Sequence, residues 1–149
     1  MNGISALAHV ALKVKDLDRS LDFYVNKLGF KEMMRLDKPD GAPGVWLVYL
    51  RITDTQFLEL FPDGQGDRAP GWDDTAINHI CVGVDDLDAT LRHLDTVGID
   101  LIRPKKLAVD GNWQAWIEDP DGNRIELMQM MPDCLQWQAI ARLRAEAEA

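Results

Sequence analysis

The chain has 149 residues, with 16 Lys and Arg against 25 Asp and Glu, and a formal net charge of −9. That is enough chain for one domain, or two small halves sharing a core, with roughly 68–70% of its surface buried. A composition 46% hydrophobic and 28% charged argues against disorder, and the acidic balance argues against a nucleic-acid partner, which needs clustered Lys and Arg. The longest apolar run, Val45 to Leu50, falls far short of the ~20 residues of a membrane span. No basic-then-apolar leader opens the chain, so no signal peptide is expected. Two cysteines, Cys81 and Cys134, fit a reducing, cytoplasmic setting.

In chain order the elements come twice. His9-Val-Ala-Leu-Lys-Val-Lys-Asp-Leu-Asp resembles His79-Ile-Cys-Val-Gly-Val-Asp-Asp-Leu-Asp at an offset of 70. Gly44, Trp46, Leu50, Asp54, Glu59 and Leu60 recur as Gly111, Trp113, Ile117, Asp121, Glu126 and Leu127 at an offset of 67. Two runs recurring in the same order signal a duplication. In the first copy Val10, Leu12 and Val14 alternate as a strand does. Asp16 or Asp18 then offers an N-cap to a helix carrying Leu17, Leu21, Tyr24 and Leu28, stopped at Gly29. A short strand near 30–35 and strands at 44–52 and 56–61 complete this copy. In the second, Ile80, Val82 and Val84 alternate, and Asp86 or Asp88 opens a helix carrying Leu87, Leu91 and Leu94, closed by Gly98. Strands follow near 100–103 and at 113–118 and 123–130, the last two joined by the Asp119-Pro-Asp-Gly turn. The expected fold class is α+β: two βαβββ modules over 5–62 and 76–131 forming a cupped mixed sheet. A Gly-, Asp- and Pro-rich linker over 63–75 separates them. A helical tail over 132–149 carries Leu135, Trp137, Ile140 and Leu143, as a packing or dimer-contact helix would.

Strand parity singles out a site. Side chains alternate across a strand, so His9, Ala11 and Lys13 oppose the aliphatics of the first strand, and His79, Cys81 and Gly83 oppose those of its repeat. Small residues beside each histidine leave space on that face. Glu59 sits between Leu58 and Leu60, and Glu126 between Ile125 and Leu127. A carboxylate among apolar neighbours is costly to bury unless paired or metal-bound. A lone histidine in an apolar strand is more often a hydrogen-bonded core residue. Four such residues at matched repeat positions instead point to an N₂O₂ site for one divalent metal: Ni, Zn, Co, Mn or Fe. Cys81 reads as a small cavity wall, His93 as an exposed residue, and Trp46 and Trp113 as core packing.

His9-Val-Ala-Leu, Asp16-Leu-Asp-Arg-Ser-Leu-Asp-Phe-Tyr and Leu28-Gly-Phe resemble the opening of the vicinal oxygen chelate superfamily of glyoxalases, bleomycin-resistance proteins and extradiol dioxygenases. Phe57-Leu-Glu-Leu, Asn78-His-Ile-Cys-Val and Glu118-Asp-Pro-Asp-Gly-Asn-Arg-Ile-Glu-Leu continue the pattern, which spans about residues 5–131. The order His9, Glu59, His79, Glu126 is similar to bacterial glyoxalase I-like lyases. That resemblance implies a divalent metal held by these four residues and a homodimer acting on a small-molecule substrate. The reaction implied is proton transfer through an enediolate that the metal stabilises, on a 2-oxo or hemithioacetal substrate. Glu126 is the expected base and Glu59 its counterpart on the other side of the substrate. Lys13 stands where glutathione-using members carry Arg and Asp63 where they carry Asn, so both are expected to bind substrate. An epimerase, a ring-cleaving dioxygenase or a metal-free binding or resistance protein are the alternative readings within the superfamily.

Overall fold

The computed structural model describes residues 3–148. The chain divides into two compact units between Ala69 and Pro70, each built on the same plan. In the first, β1 (His9–Lys13), α1 (Leu17–Leu21), β2 (Lys31–Asp37), β3 (Val45–Arg51) and β4 (Phe57–Phe61) give a four-stranded sheet in the order β1-β4-β3-β2. In the second, β5 (Ile80–Gly83), α2 (Leu87–Thr96), β6 (Arg103–Leu107), β7 (Trp113–Glu118) and β8 (Arg124–Gln129) repeat it as β5-β8-β7-β6. Both sheets are mixed. The first and last strands of each module pair in parallel, and the remaining pairs are antiparallel. The fold class is the expected α+β of two βαβββ modules, followed by α3 (Leu135–Glu148).

The helix starts show the duplication in atomic detail. Asp16 accepts a hydrogen bond from the Arg19 backbone N–H at 3.0 Å, and Asp86 accepts one from Ala89 at 2.9 Å. Each carboxylate satisfies a donor that the first helical turn leaves free, so Asp16 and Asp86, not Asp18 and Asp88, are the caps. Beyond α1, residues Asp22–Lys27 widen into i→i+5 turns, with the Leu28 N–H bonded to the Phe23 carbonyl at 2.9 Å. Phe23 and Tyr24, adjacent in sequence, are both buried there and meet edge to face at 5.1 Å.

The aliphatic face of each sheet forms its core. Leu12, Val14, Val48, Leu50, Leu58 and Leu60 are buried in the first unit, and Ile117, Ile125, Leu127, Leu87 and Leu94 in the second. Three expectations are corrected. The strand expected near 100–103 lies at Arg103–Leu107, because Ile102 already donates to the Trp116 carbonyl and the chain then irregularly follows β7 to Leu107. Trp46, expected in the core, is 42% exposed. The tail forms the expected helix, but it does not bury an apolar face against its own chain: none of its residues is buried, and Leu135, Trp137 and Leu143 are exposed. Among the described residues no helix is long and apolar enough to cross a membrane.

Candidate metal and substrate site

Register determines which side chains meet. In the first unit Ala11 of β1 lies opposite Glu59 of β4, which lies opposite Tyr49 of β3. Directly opposed residues share a face, so Glu59 lies on the His9–Ala11–Lys13 side. His9 Nδ1 lies 3.7 Å from Glu59 Oε1, with the imidazole half exposed at 50% and the carboxylate at 8%. Burial, the Glu59 charge and a hydrogen bond to Glu59 together hold the Tyr49 phenol above its usual pKa.

The second unit repeats the arrangement more tightly. Cys81 of β5 lies opposite Glu126 of β8, which lies opposite Trp116 of β7. His79 Nε2 is 3.1 Å from Glu126 Oε2, with 32% and 14% of the two side chains exposed. The other ring nitrogen, Nδ1, sits 3.0 Å from Asn78 Oδ1, and the ring stands edge-on to Trp116 at 4.7 Å. Desolvation, reinforced by the Glu126 charge, pushes the Cys81 thiol up to about 12. It stays protonated at neutral pH and is not a thiolate nucleophile.

The structure brings the four residues expected from parity together as two His–Glu pairs, one in each module. Among the described residues no group of three or more His, Cys, Asp or Glu side chains is gathered in one cluster; each module holds one His–Glu pair. Lys13 and Asp63, the expected substrate contacts, line one cleft of about 300 Å³ with Lys38, Asp40, Trp46 and Pro62. Asp63 is paired with Lys38 at 3.7 Å and holds a positive φ of 66°, a conformation that asparagine and aspartate tolerate better than most residues. Sequence reading missed the aromatic and cationic set around His79. Trp72 meets Trp116 at a tilt with ring centres 5.3 Å apart, and the Arg103 and Arg124 guanidinium carbons lie 3.8 and 4.4 Å from the Trp72 ring centre. Only Trp116 has an aromatic repeat mate, Tyr49; the others have none that would have drawn attention to them.

Comparison with known proteins agrees with this architecture. A model of the Glyoxalase/Bleomycin resistance protein/Dioxygenase superfamily matches residues 6–127. The chain belongs to that superfamily. A lactoylglutathione lyase of Neisseria meningitidis is similar at 36% identity over 126 residues, covering 83% of this chain and 89% of the relative. Among solved structures of the superfamily, a glyoxalase family protein from Enterococcus faecalis aligns with a TM-score of 0.72 at 25% identity, over 83% of this chain and 97% of that one. The trypanothione-dependent glyoxalase I of Leishmania major aligns at 0.71 and 26% identity, over 98% of this chain and 100% of that one. Paired βαβββ modules are therefore the superfamily's fold carried by this chain.

Proposed function

We propose that the protein is a metal-dependent lyase or isomerase of glyoxalase I type. His9, Glu59, His79 and Glu126 would hold one divalent ion (Ni, Zn, Co, Mn or Fe) in a cytoplasmic homodimer. The observation that carries this reading is the repeated pair: in each module an imidazole nitrogen lies within 3.7 Å of a largely buried carboxylate. Imidazole and carboxylate oxygen are the donors these metals prefer. A carboxylate as deep as Glu59 is costly without a positive partner, and the half-exposed His9 beside it leaves room for one. The lactoylglutathione lyases among the relatives support the same reaction class.

A divalent ion bound there supplies Lewis acidity next to the reacting carbons. The chain's own residues do the rest. The Glu126 carboxylate takes the proton from one carbon and delivers it to its neighbour, so the substrate is isomerised with no atom gained or lost. Asn78 orients the His79 ring from its far side, and Trp116 packs its edge. The protonated Cys81 thiol beside Glu126 does not compete as a nucleophile. The Lys13–Lys38–Asp63 cleft receives a charged group of the substrate.

Lys13 and the Lys38–Asp63 pair favour a second reading of the substrate. A point charge replaces the bidentate arginine fork of glutathione-using members, and Asp63 is already engaged. A small anionic 2-oxo or 2-hydroxy compound, isomerised or epimerised by the same proton transfer, fits this cleft. The test is a steady-state assay of metal-loaded protein with methylglyoxal plus glutathione, run beside small 2-oxo acids. Glu126→Gln is expected to lower kcat by about 10²–10⁴-fold with whichever substrate turns over. Undiminished turnover in that variant would contradict the assignment.

A further inference from the structure

We infer that Arg103 is an oxyanion clamp beside the His79–Glu126 pair, receiving a carboxylate or phosphate group carried by the substrate. Arg103 of β6 lies directly opposite Trp116 of β7, which lies opposite Glu126 of β8. The three form one row across the sheet, and residues opposed in register project from the same face. The clamp and the proton-transferring carboxylate therefore share a surface. They stand two strands apart, about 10 Å between backbones.

The guanidinium is positioned before any ligand arrives. Its carbon lies 3.8 Å from the Trp72 ring centre and 5.6 Å from that of Trp116, and Trp116 also packs edge-on against His79. Stacking on indole orients the planar fork while leaving its N–H donors free, and a preorganised donor loses less entropy on binding. The neighbouring cations are already engaged. Arg124 is buried and donates to the Asn78 and Gly71 carbonyls at 2.8 and 3.2 Å, and Lys105 is paired with Asp88 at 2.7 Å. Arg103 itself is exposed. Among the described residues it makes no ion pair.

The duplication supplies an internal comparison. The equivalent row of the first module runs Met34, Tyr49, Glu59 and Ala11, with an exposed methionine where the second has arginine. The cation is thus not demanded by the module's packing, and each chain carries one such clamp. The row spacing assigns the substrate class: a molecule whose oxyanion lies several bonds from the carbon that Glu126 deprotonates. The catalytic meaning of the clamp rests on the proposed function; the binding site itself does not.

The test is a ¹H–¹⁵N titration of the zinc-loaded protein, following the indole N–H resonances of Trp72 and Trp116. The probes are 3-(methylthio)propionate, inorganic phosphate and the uncharged 3-(methylthio)propanol. At least one oxyanion probe is expected to bind about tenfold or more tighter than the alcohol, and the two arms show whether carboxylate or phosphate is preferred. Arg103→Gln is expected to abolish that preference, and Arg103→Lys to retain part of it. Zinc content and thermal midpoint are measured on the same samples. Equal binding of alcohol and both oxyanions, or a preference that survives Arg103→Gln in folded protein, overturns the clamp. Zinc retention unchanged in His79→Ala would overturn the metal reading instead and leave the clamp standing.

Discussion

His9 and Glu59 face one another because each sits at the right parity on its own strand, and so do His79 and Glu126. Parity needs only a strand and a count, which is why these four were legible from the repeat. Trp72, Trp116 and Arg103 were not. Their meeting depends on the register between β6, β7 and β8 and on the irregular stretch between Arg103 and Lys106, and neither leaves a periodic mark in the sequence. Gly44 and Gly111, by contrast, were visible as repeat mates, and the structure supplies the cause: φ values of 112° and 86°. A side chain at Gly111 would also lie 3.4 Å from the Cys134 backbone. Gly111→Ala should therefore destabilise the protein by about 1 kcal/mol or more, read as a shift in the denaturant midpoint. No shift would mean that the turn is held by other contacts.

Elements were legible where hydrophobic period and cap coincide. α2 begins at its capping aspartate and carries the expected Leu87 and Leu94 stripe, both buried. Removing the cap in Asp86→Ala should cost about 1 kcal/mol in urea unfolding; Asp88→Ala, exposed and not capping, is the matched control with a smaller expected effect. β6 was misplaced because Leu101 and Ile102 look like strand residues but are exposed, while pairing continues through Pro104, which donates no backbone hydrogen bond. α3 is tethered by a polar network instead of an apolar face. Gln136 Nε2 donates to Asp110 Oδ2 at 2.6 Å. Buried Asn112 donates to Gln136 at 2.9 Å and accepts from the Met131 N–H at 2.9 Å. The Gln136 hydrogen bond, with the Asn112 backbone N–H, lowers the Asp110 pKa. A depressed carboxylate contributes stability above its ordinary pKa and loses that contribution as pH falls through the folded value. The start of α3 should therefore loosen below about pH 4, seen as faster amide exchange of Leu135. Asp110→Asn should show no such pH step.

Across the whole molecule, the duplication made the fold legible: two offsets, 70 and 67, give two equivalent βαβββ modules, with only β6 displaced from its expected place. The place of the tail was not, because Leu135, Trp137 and Leu143 suit a helix that packs on its own chain and one that contacts a second copy equally well, and here they are exposed. The proposed function at this scale depends on whether the two His–Glu pairs bind one ion. Each module offers one imidazole and one carboxylate, half the complement of a four-coordinate ion. The decisive measurement is the metal content of the intact assembly, by native mass spectrometry of wild type, His79→Ala and Glu126→Gln. One divalent ion per chain in a homodimer, lost in both variants, is the predicted result. Two ions per chain, none in the wild type, or full occupancy in the variants would contradict the four-ligand centre.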